Sequence, residues 1–185
     1  MPFTFAPHPD LPEVVLITPH VFADQRGWFM ESFRRSDFER HGITADFVQD
    51  DHSRSDGRLI LRGLHWQAAP AAQGKLVRCT LGEIFDAVVD VRPEASTFGR
   101  SATLVLSAAE PRMLWIPPGL AHGFLTLSKV VEVQYKHTHE YSSEHARRLR
   151  WDDPDLAIPW PLDGAMPRLS PADAAAPTLR EAGLH

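Results

Sequence analysis

The chain has 185 residues, 43% hydrophobic and 23% charged, with a formal net charge of -5. That is the balance of a soluble globular protein, long enough to bury a core, and residues 1–185 read as one domain. The acidic excess and the lack of basic runs argue against nucleic acid as a partner, although single arginines can still hold a phosphate.

The lone Cys79 excludes an intramolecular disulfide framework and suits a reducing compartment. Met1–Pro12 has neither the basic start nor the apolar core of a signal peptide. No apolar run approaches the ~18 residues of a membrane span, so the expected location is the cytoplasm, away from membranes. Sixteen prolines disfavour long helices. Short runs rich in Val, Ile, Phe and Leu, broken by Gly, Pro and Asp, point to many strands.

Val14 to Thr18 reads as the first strand. Asp24-Gln25-Arg26-Gly27 is a turn, and Trp28 to Phe33 alternates as a strand with Phe29, Glu31 and Phe33 on one face. A carboxylate between two phenylalanines suits a lined pocket, and equally a solvated edge strand. Ser36-Asp37-Phe38-Glu39 fits a capping box, with Gly42 ending a short helix. Phe47 to Ser55 is polar and reads as a loop.

Leu61-Arg62-Gly63-Leu64-His65-Trp66-Gln67 follows, then Lys75-Leu76-Val77-Arg78. As a regular strand, the first run puts Arg62 and Leu64 on one face and Leu61, Gly63 and His65 on the other. His65 alone would be a satisfied core histidine. An arginine, a histidine and a lysine set together among apolar neighbours instead suggest an anionic ligand.

Lys75 to Thr80 and Glu83 to Val91 read as strands joined at Leu81-Gly82, a hairpin. On the second, Ile84, Asp86, Val88 and Asp90 share a face, and Asp86 lies in a strongly apolar stretch. Ser101 to Ser107 and Met113 to Ile116 are further strands. In Val130 to His137 one face carries Val131, Val133 and Tyr135. That tyrosine is core by pattern, or a proton carrier in an enclosed site. Beyond Tyr141 regularity falls. Ser170-Pro171 has the form of a helix start, and Leu179 to Ala182 that of a last short helix. About ten short strands with few helices give a β-sandwich or barrel.

Several stretches together resemble one family. They include Asp24-Gln25-Arg26-Gly27, Gln49-Asp50-Asp51-His52-Ser53, Leu61 to Gln67, Lys75 to Arg78, Phe85 to Arg92, Ser96-Thr97-Phe98-Gly99, Gly119-Leu120-Ala121-His122-Gly123-Phe124 and Trp151-Asp152-Asp153-Pro154. In this order they are similar to the dTDP-4-dehydrorhamnose 3,5-epimerases. The resemblance implies a mainly β, cupin-type jelly-roll barrel with a few short helices, a homodimer, and no metal or other cofactor. It implies epimerisation at C3 and C5 of dTDP-4-dehydro-6-deoxy-D-glucose through an enolate.

It also implies roles. His65 would be the base, Asp173 its carboxylate partner, Lys75 the stabiliser of the enolate oxygen, and Tyr135 the proton donor on the opposite face. Arg62 would hold the diphosphate, with Arg26 reaching over from a partner subunit. Tyr141 would stack on thymine, Phe29, Glu31, Gln49 and Asp51 would contact the nucleotide, and His122 would bond near the sugar or phosphate. Three positions depart from the family pattern. Asp51 stands for an asparagine, Ala172 for a frequent lysine or arginine, and Ala146 for a common glutamate, with Glu144 close by.

Three other readings share parts of this pattern. A mono-epimerase acting at C3 or C5 alone would use the same base and lysine. A metal-dependent cupin would use Pro117-x-Gly119-x-x-His122 as half of its motif, but His65 is followed by Trp66-Gln67 rather than by a second histidine. A non-catalytic nucleotide-sugar module would need the arginines without His65, Lys75 and Tyr135 together.

Overall fold

A computed structural model describes residues 2–184. Among them are β1 (Phe3–Pro7), β2 (Val15–Pro19), β3 (Val21–Asp24), β4 (Gly27–Met30), α1 (Arg35–Arg40), β5 (Gln49–Asp56), β6 (Leu61–Gln67), β7 (Lys75–Leu81), β8 (Glu83–Asp90), β9 (Ser101–Ser107), β10 (Met113–Ile116), β11 (Leu120–Thr126), β12 (Val130–His137), β13 (Ala146–Arg148) and α2 (Pro171–Ala174). A six-stranded sheet has the order β1-β2-β10-β7-β12-β5, and a five-stranded sheet the order β13-β6-β11-β8-β9. β3 and β4 form a separate two-stranded ribbon.

The two large sheets bury one apolar layer between them. Val77, Cys79, Leu114, Ile116, Val131 and Val133 come from the first sheet. Ile84, Val88, Ala102, Leu106, Leu120 and Phe124 come from the second. Alternate residues of these strands turn to this layer because the pleat sends successive side chains to opposite faces, and β10 and β11 are buried on both faces. Outside the first sheet, Phe38 of α1 packs with Phe3, Ile17, Leu76, Met113 and Trp115. Outside the second, Leu64, Val89 and Ala121 are covered by Leu149, Leu156 and Leu179. The proline-rich C-terminal stretch is therefore a packed cover for that sheet.

Several sequence expectations are corrected. β7 and β8 do not form a hairpin. They lie in opposite sheets, so the chain crosses the sandwich at Gly82. Gly82 has φ +77, and a Cβ there would lie 2.3 Å from the Val130 carbonyl oxygen, so the crossing requires glycine. The polar stretch expected as a loop is β5, paired along its length with β12. The strand after Arg26 stops at Met30, so Phe29, Glu31 and Phe33 do not share a strand face. No capping box forms at Ser36, because α1 starts earlier, at Arg35, after Arg34, with no side-chain cap. Leu179 to Ala182 is a turn, with Ala182 N bonded to Thr178 O at 2.9 Å. The first strand of the chain is β1, ahead of the expected Val14 to Thr18.

Candidate active site

The inward faces of the sandwich change character along their length. β12 gives Val131 and Val133 to the core and then Tyr135 and His137 to a cavity. β7 does the same in the reverse direction, with Cys79 and Val77 in the core and Lys75 in the cavity. The cavity has a volume of about 710 Å3. Its floor and walls include His65, Lys75, His122, Tyr135 and Arg62, and α2 closes one side with Asp173.

Regular alternation would have put Arg62 and His65 on opposite faces. The structure puts both in the cavity, because the β6–β11 register slips. His65 pairs with His122, whereas Arg62 pairs with Phe124. Three residue steps on β6 therefore span two on β11, which is a β-bulge. The extra residue lies at Gly63-Leu64, and Leu64 is turned outward into the apolar layer beneath Leu149. A Cβ at Gly63 would lie 2.4 Å from Gly123 Cα, so the two backbones can approach only as glycines.

His65 Nε2 lies 2.6 Å from Asp173 Oδ1. The carboxylate orients the ring with the hydrogen on Nε2 and leaves Nδ1 with a free lone pair. Asp173 is held in turn by the first turn of α2, where its backbone N–H donates to Ser170 Oγ at 3.1 Å. The expected serine cap and proline start at this helix are both present. Arg148 Nε stands 3.6 Å from the same carboxylate oxygen. Burial opposes ionisation of Asp173, but the hydrogen bond from His65 and the nearby cations outweigh it and hold the pKa below the usual range.

Lys75 reaches across the cavity from the first sheet and donates from Nζ to the His65 carbonyl at 2.9 Å. Burial pushes its pKa down to about 8, partly offset by Asp86. Tyr135 stands on the wall opposite His65. Burial pushes its hydroxyl well above the ordinary tyrosine range, opposed in part by Ser53 and Arg62. Such a hydroxyl keeps its proton until a stronger base is generated beside it. His122 donates from Nε2 to Asp86 Oδ2 over 2.9 Å, deep in the wall.

The nucleotide-side expectations divide. Gln49, Asp51, Arg62, His122 and Tyr141 line the cavity. Arg62 donates to Ser55 Oγ and the Arg54 carbonyl, both at 3.1 Å, so its guanidinium is fixed at the rim. Gln49 bonds Asp51 through its amide nitrogen at 3.0 Å and accepts from Tyr141 N at 2.7 Å. Arg26, Phe29 and Glu31 do not line the cavity of their own chain. Arg26 bonds Asp24 at the tip of the β3–β4 ribbon, Phe29 is 65% exposed, and Glu31 pairs with Arg34. Of the departures, Asp51 and Ala146 line the cavity, while Ala172, on α2, lines a separate groove with Trp66, Arg147 and Arg148.

The sequence reading missed His137 and Arg148. His137 carried a signal, since it continues the inward face of Tyr135 two residues on; Arg148 carried none, because its pairing with His65 across β13 and β6 is a tertiary fact. The metal-cupin reading fares differently. Its two histidines each face a carboxylate, and among the described residues no three His, Cys, Asp or Glu side chains group as a metal ion would need.

A family profile described as dTDP-4-dehydrorhamnose 3,5-epimerase matches residues 8–181. The dTDP-4-dehydrorhamnose 3,5-epimerase of Salmonella typhimurium is 48% identical over 173 residues, covering 93% of each chain. The enzyme of the same name from Pseudomonas aeruginosa is 51% identical over 164 residues, covering 88% of this chain and 89% of its own. The crystal structure of a dTDP-6-deoxy-D-glucose-3,5-epimerase from Legionella pneumophila, in complex with dTDP-4-keto-L-rhamnose, superposes with a TM-score of 0.92 at 42% identity, covering 98% of this chain and 96% of that one. A 3'-monoepimerase from Streptomyces bikiniensis, in complex with dTDP-quinovose, superposes with a TM-score of 0.88 at 31% identity, covering 96% and 89%.

Proposed function

The chain belongs to the dTDP-4-dehydrorhamnose 3,5-epimerase family, and from that premise we propose that His65, Asp173, Lys75 and Tyr135 carry its reaction. The fold is the cupin-like jelly roll of that family. The protein is an isomerase that inverts C3 and C5 of dTDP-4-dehydro-6-deoxy-D-glucose to give dTDP-4-dehydro-L-rhamnose.

Both carbons flank the C4 ketone, so loss of either proton gives an enolate. Inversion then needs a base on one face of the ring and a donor on the other. The observation that carries the assignment is the placement of His65 and Tyr135 on opposite sheets across one cavity. His65 Nδ1 takes the proton, and Asp173 stabilises the imidazolium that results. Lys75, charged below about pH 8, faces the developing negative charge at O4. Tyr135 gives its proton to carbon from the far side, which completes the inversion. These steps use only side chains of the protein.

Arg62 binds the diphosphate, as a guanidinium fork suits two phosphate oxygens. Tyr141, 62% exposed at the cavity mouth, stacks on the base, and Gln49, Asp51 and His122 complete the contacts. The β3–β4 ribbon exposes Phe22, Trp28 and Phe29 beside Arg26. Such an apolar arm suits a homodimer in which Arg26, Phe29 and Glu31 enter the partner's cavity. One domain, residues 1–185, carries the whole site of each subunit apart from that arm.

Proton NMR of dTDP-4-dehydro-6-deoxy-D-glucose with the protein in D2O tests the reading. Protein-dependent loss of both the C3 and C5 signals is expected. Loss of one alone would convert the assignment to a mono-epimerase, and loss of neither would overturn it.

A further inference from the structure

Tyr135 sits between two imidazole rings, each beside a carboxylate. His122 meets it edge-on, with ring centroids 6.3 Å apart and planes at 72°. His122 is itself fixed by Asp86, which is fully buried. His137 lies on the other side, nearly parallel to the tyrosine, at 5.8 Å and 14°. It is 6% exposed, and neither ring nitrogen has a hydrogen-bond partner among the described residues. Asp51 Oδ2 lies 3.0 Å from Nε2, off the line of a hydrogen bond. Asp51 is in turn tethered by Gln49.

We propose that His137, stacked on Tyr135, is a positioning residue that holds the ring of Tyr135 at the angle from which it protonates carbon. The inference rests on the assignment of Tyr135 as donor. The strands explain why this pair can form: Tyr135 and His137 are two residues apart on one face of β12, opposite Asp51 and Gln49 of β5. His137 also faces Lys75 across β7. Burial and the Lys75 charge push its pKa down to about 4, so at working pH it is an uncharged flat surface. A flat neutral ring suits a stacking neighbour of the donor and adds no cation next to Lys75.

The role separates two events that start from the same enolate. If Tyr135 is aligned, the enolate takes a proton from the far face and the carbon inverts. If Tyr135 is displaced, the imidazolium of His65, once its N–H has exchanged with solvent D2O, returns a deuteron to the near face. In D2O that return leaves deuterated substrate of unchanged configuration. In each case one C–H bond breaks, one C–D bond forms, and no oxidant or reductant is needed.

The test is the ratio of inversion to exchange, read by proton NMR in D2O for the wild-type protein, His137→Ala, His137→Leu and His137→Phe. The ratio is independent of how much of a variant is folded. His137→Ala and His137→Leu are expected to lower it roughly ten- to hundredfold, in line with the penalty for a reacting group displaced by about 1 Å. His137→Phe, which restores a flat ring, is expected to recover most of it. A wild-type ratio in His137→Ala or His137→Leu, whatever their total rates, would overturn the proposal. So would a ratio in His137→Phe as low as in His137→Ala. Wild-type protein that exchanges neither carbon would instead overturn the functional reading beneath it.

Discussion

Two imidazole–carboxylate pairs face the same cavity, His65–Asp173 at 2.6 Å and His122–Asp86 at 2.9 Å. Their surroundings differ. The side chain of His65 is 39% exposed, with its partner at 5%, whereas His122 and Asp86 are at 5% and 0%. Asp86 comes from the strand next to His122, while Asp173 arrives from a one-turn helix 108 residues along the chain from His65. The open pair can receive a proton from a ligand and release it again. The closed pair is almost wholly buried: His122 shows one edge to the cavity beside Tyr135, and Asp86 behind it holds the ring in place. The same two chemical groups thus do different work because of access, and the accessible pair is completed last, by the C-terminal cover.

Substitutions can break this contrast. His65→Asn removes the base and is expected to lower turnover by about 10²–10⁴-fold, with the thermal midpoint little changed; steady-state kinetics beside a melting curve checks both. Lys75→Met is expected to cost about 10²–10³-fold in kcat, the range for a lost oxyanion donor. The same change should raise the melting temperature. The folded pKa of Lys75 is depressed to about 8, so burying its charge costs stability below that pH, and the cost is relieved as pH rises from about 8 towards 10.5. For the wild type, kcat should fall about tenfold per pH unit above about 8 as Lys75 loses its charge.

Asp86→Ala tests the closed pair. Leaving His122 without its partner should cost about 1–3 kcal/mol in denaturant unfolding, and the change in kcat should be smaller than for His65→Asn. Equal kinetic damage from both would dissolve the distinction. The smallest expected effect is Ser170→Ala, which loosens the turn bearing Asp173 and should cost about 1 kcal/mol or less. It sharpens the comparison because only the open pair depends on a cap.

Most of the site residues named from the sequence line the cavity, and the misses have physical causes. Arg62, His65 and Lys75 stood out as a set because cations and imidazoles are rare among buried apolar neighbours, whereas the roles of Tyr135 and Asp173 came from the family resemblance. The serine cap and proline start of α2 were readable because capping is local chemistry. β5 was not readable, since all eight of its residues are polar. Seven of the eight line the cavity, so polar residues suit both sets of alternate positions and no apolar period marks it as a strand. The shared face of Arg62 and His65 depended on a bulge set by close contact with β11, a tertiary fact absent from the alternation of β6. The false hairpin at Leu81-Gly82 had suitable turn residues. Only the pairing preferences of the other strands send β8 to the opposite sheet.

The claim on which the account turns is that base and donor stand on opposite walls. Tyr135→Phe in D2O, followed by proton NMR, tests it most directly. The account predicts that deuterium still enters the substrate through His65 and Lys75, while inverted product falls by at least about 10² relative to exchange. Exchange and inversion lost in equal proportion would contradict it, because one group would then be serving both faces.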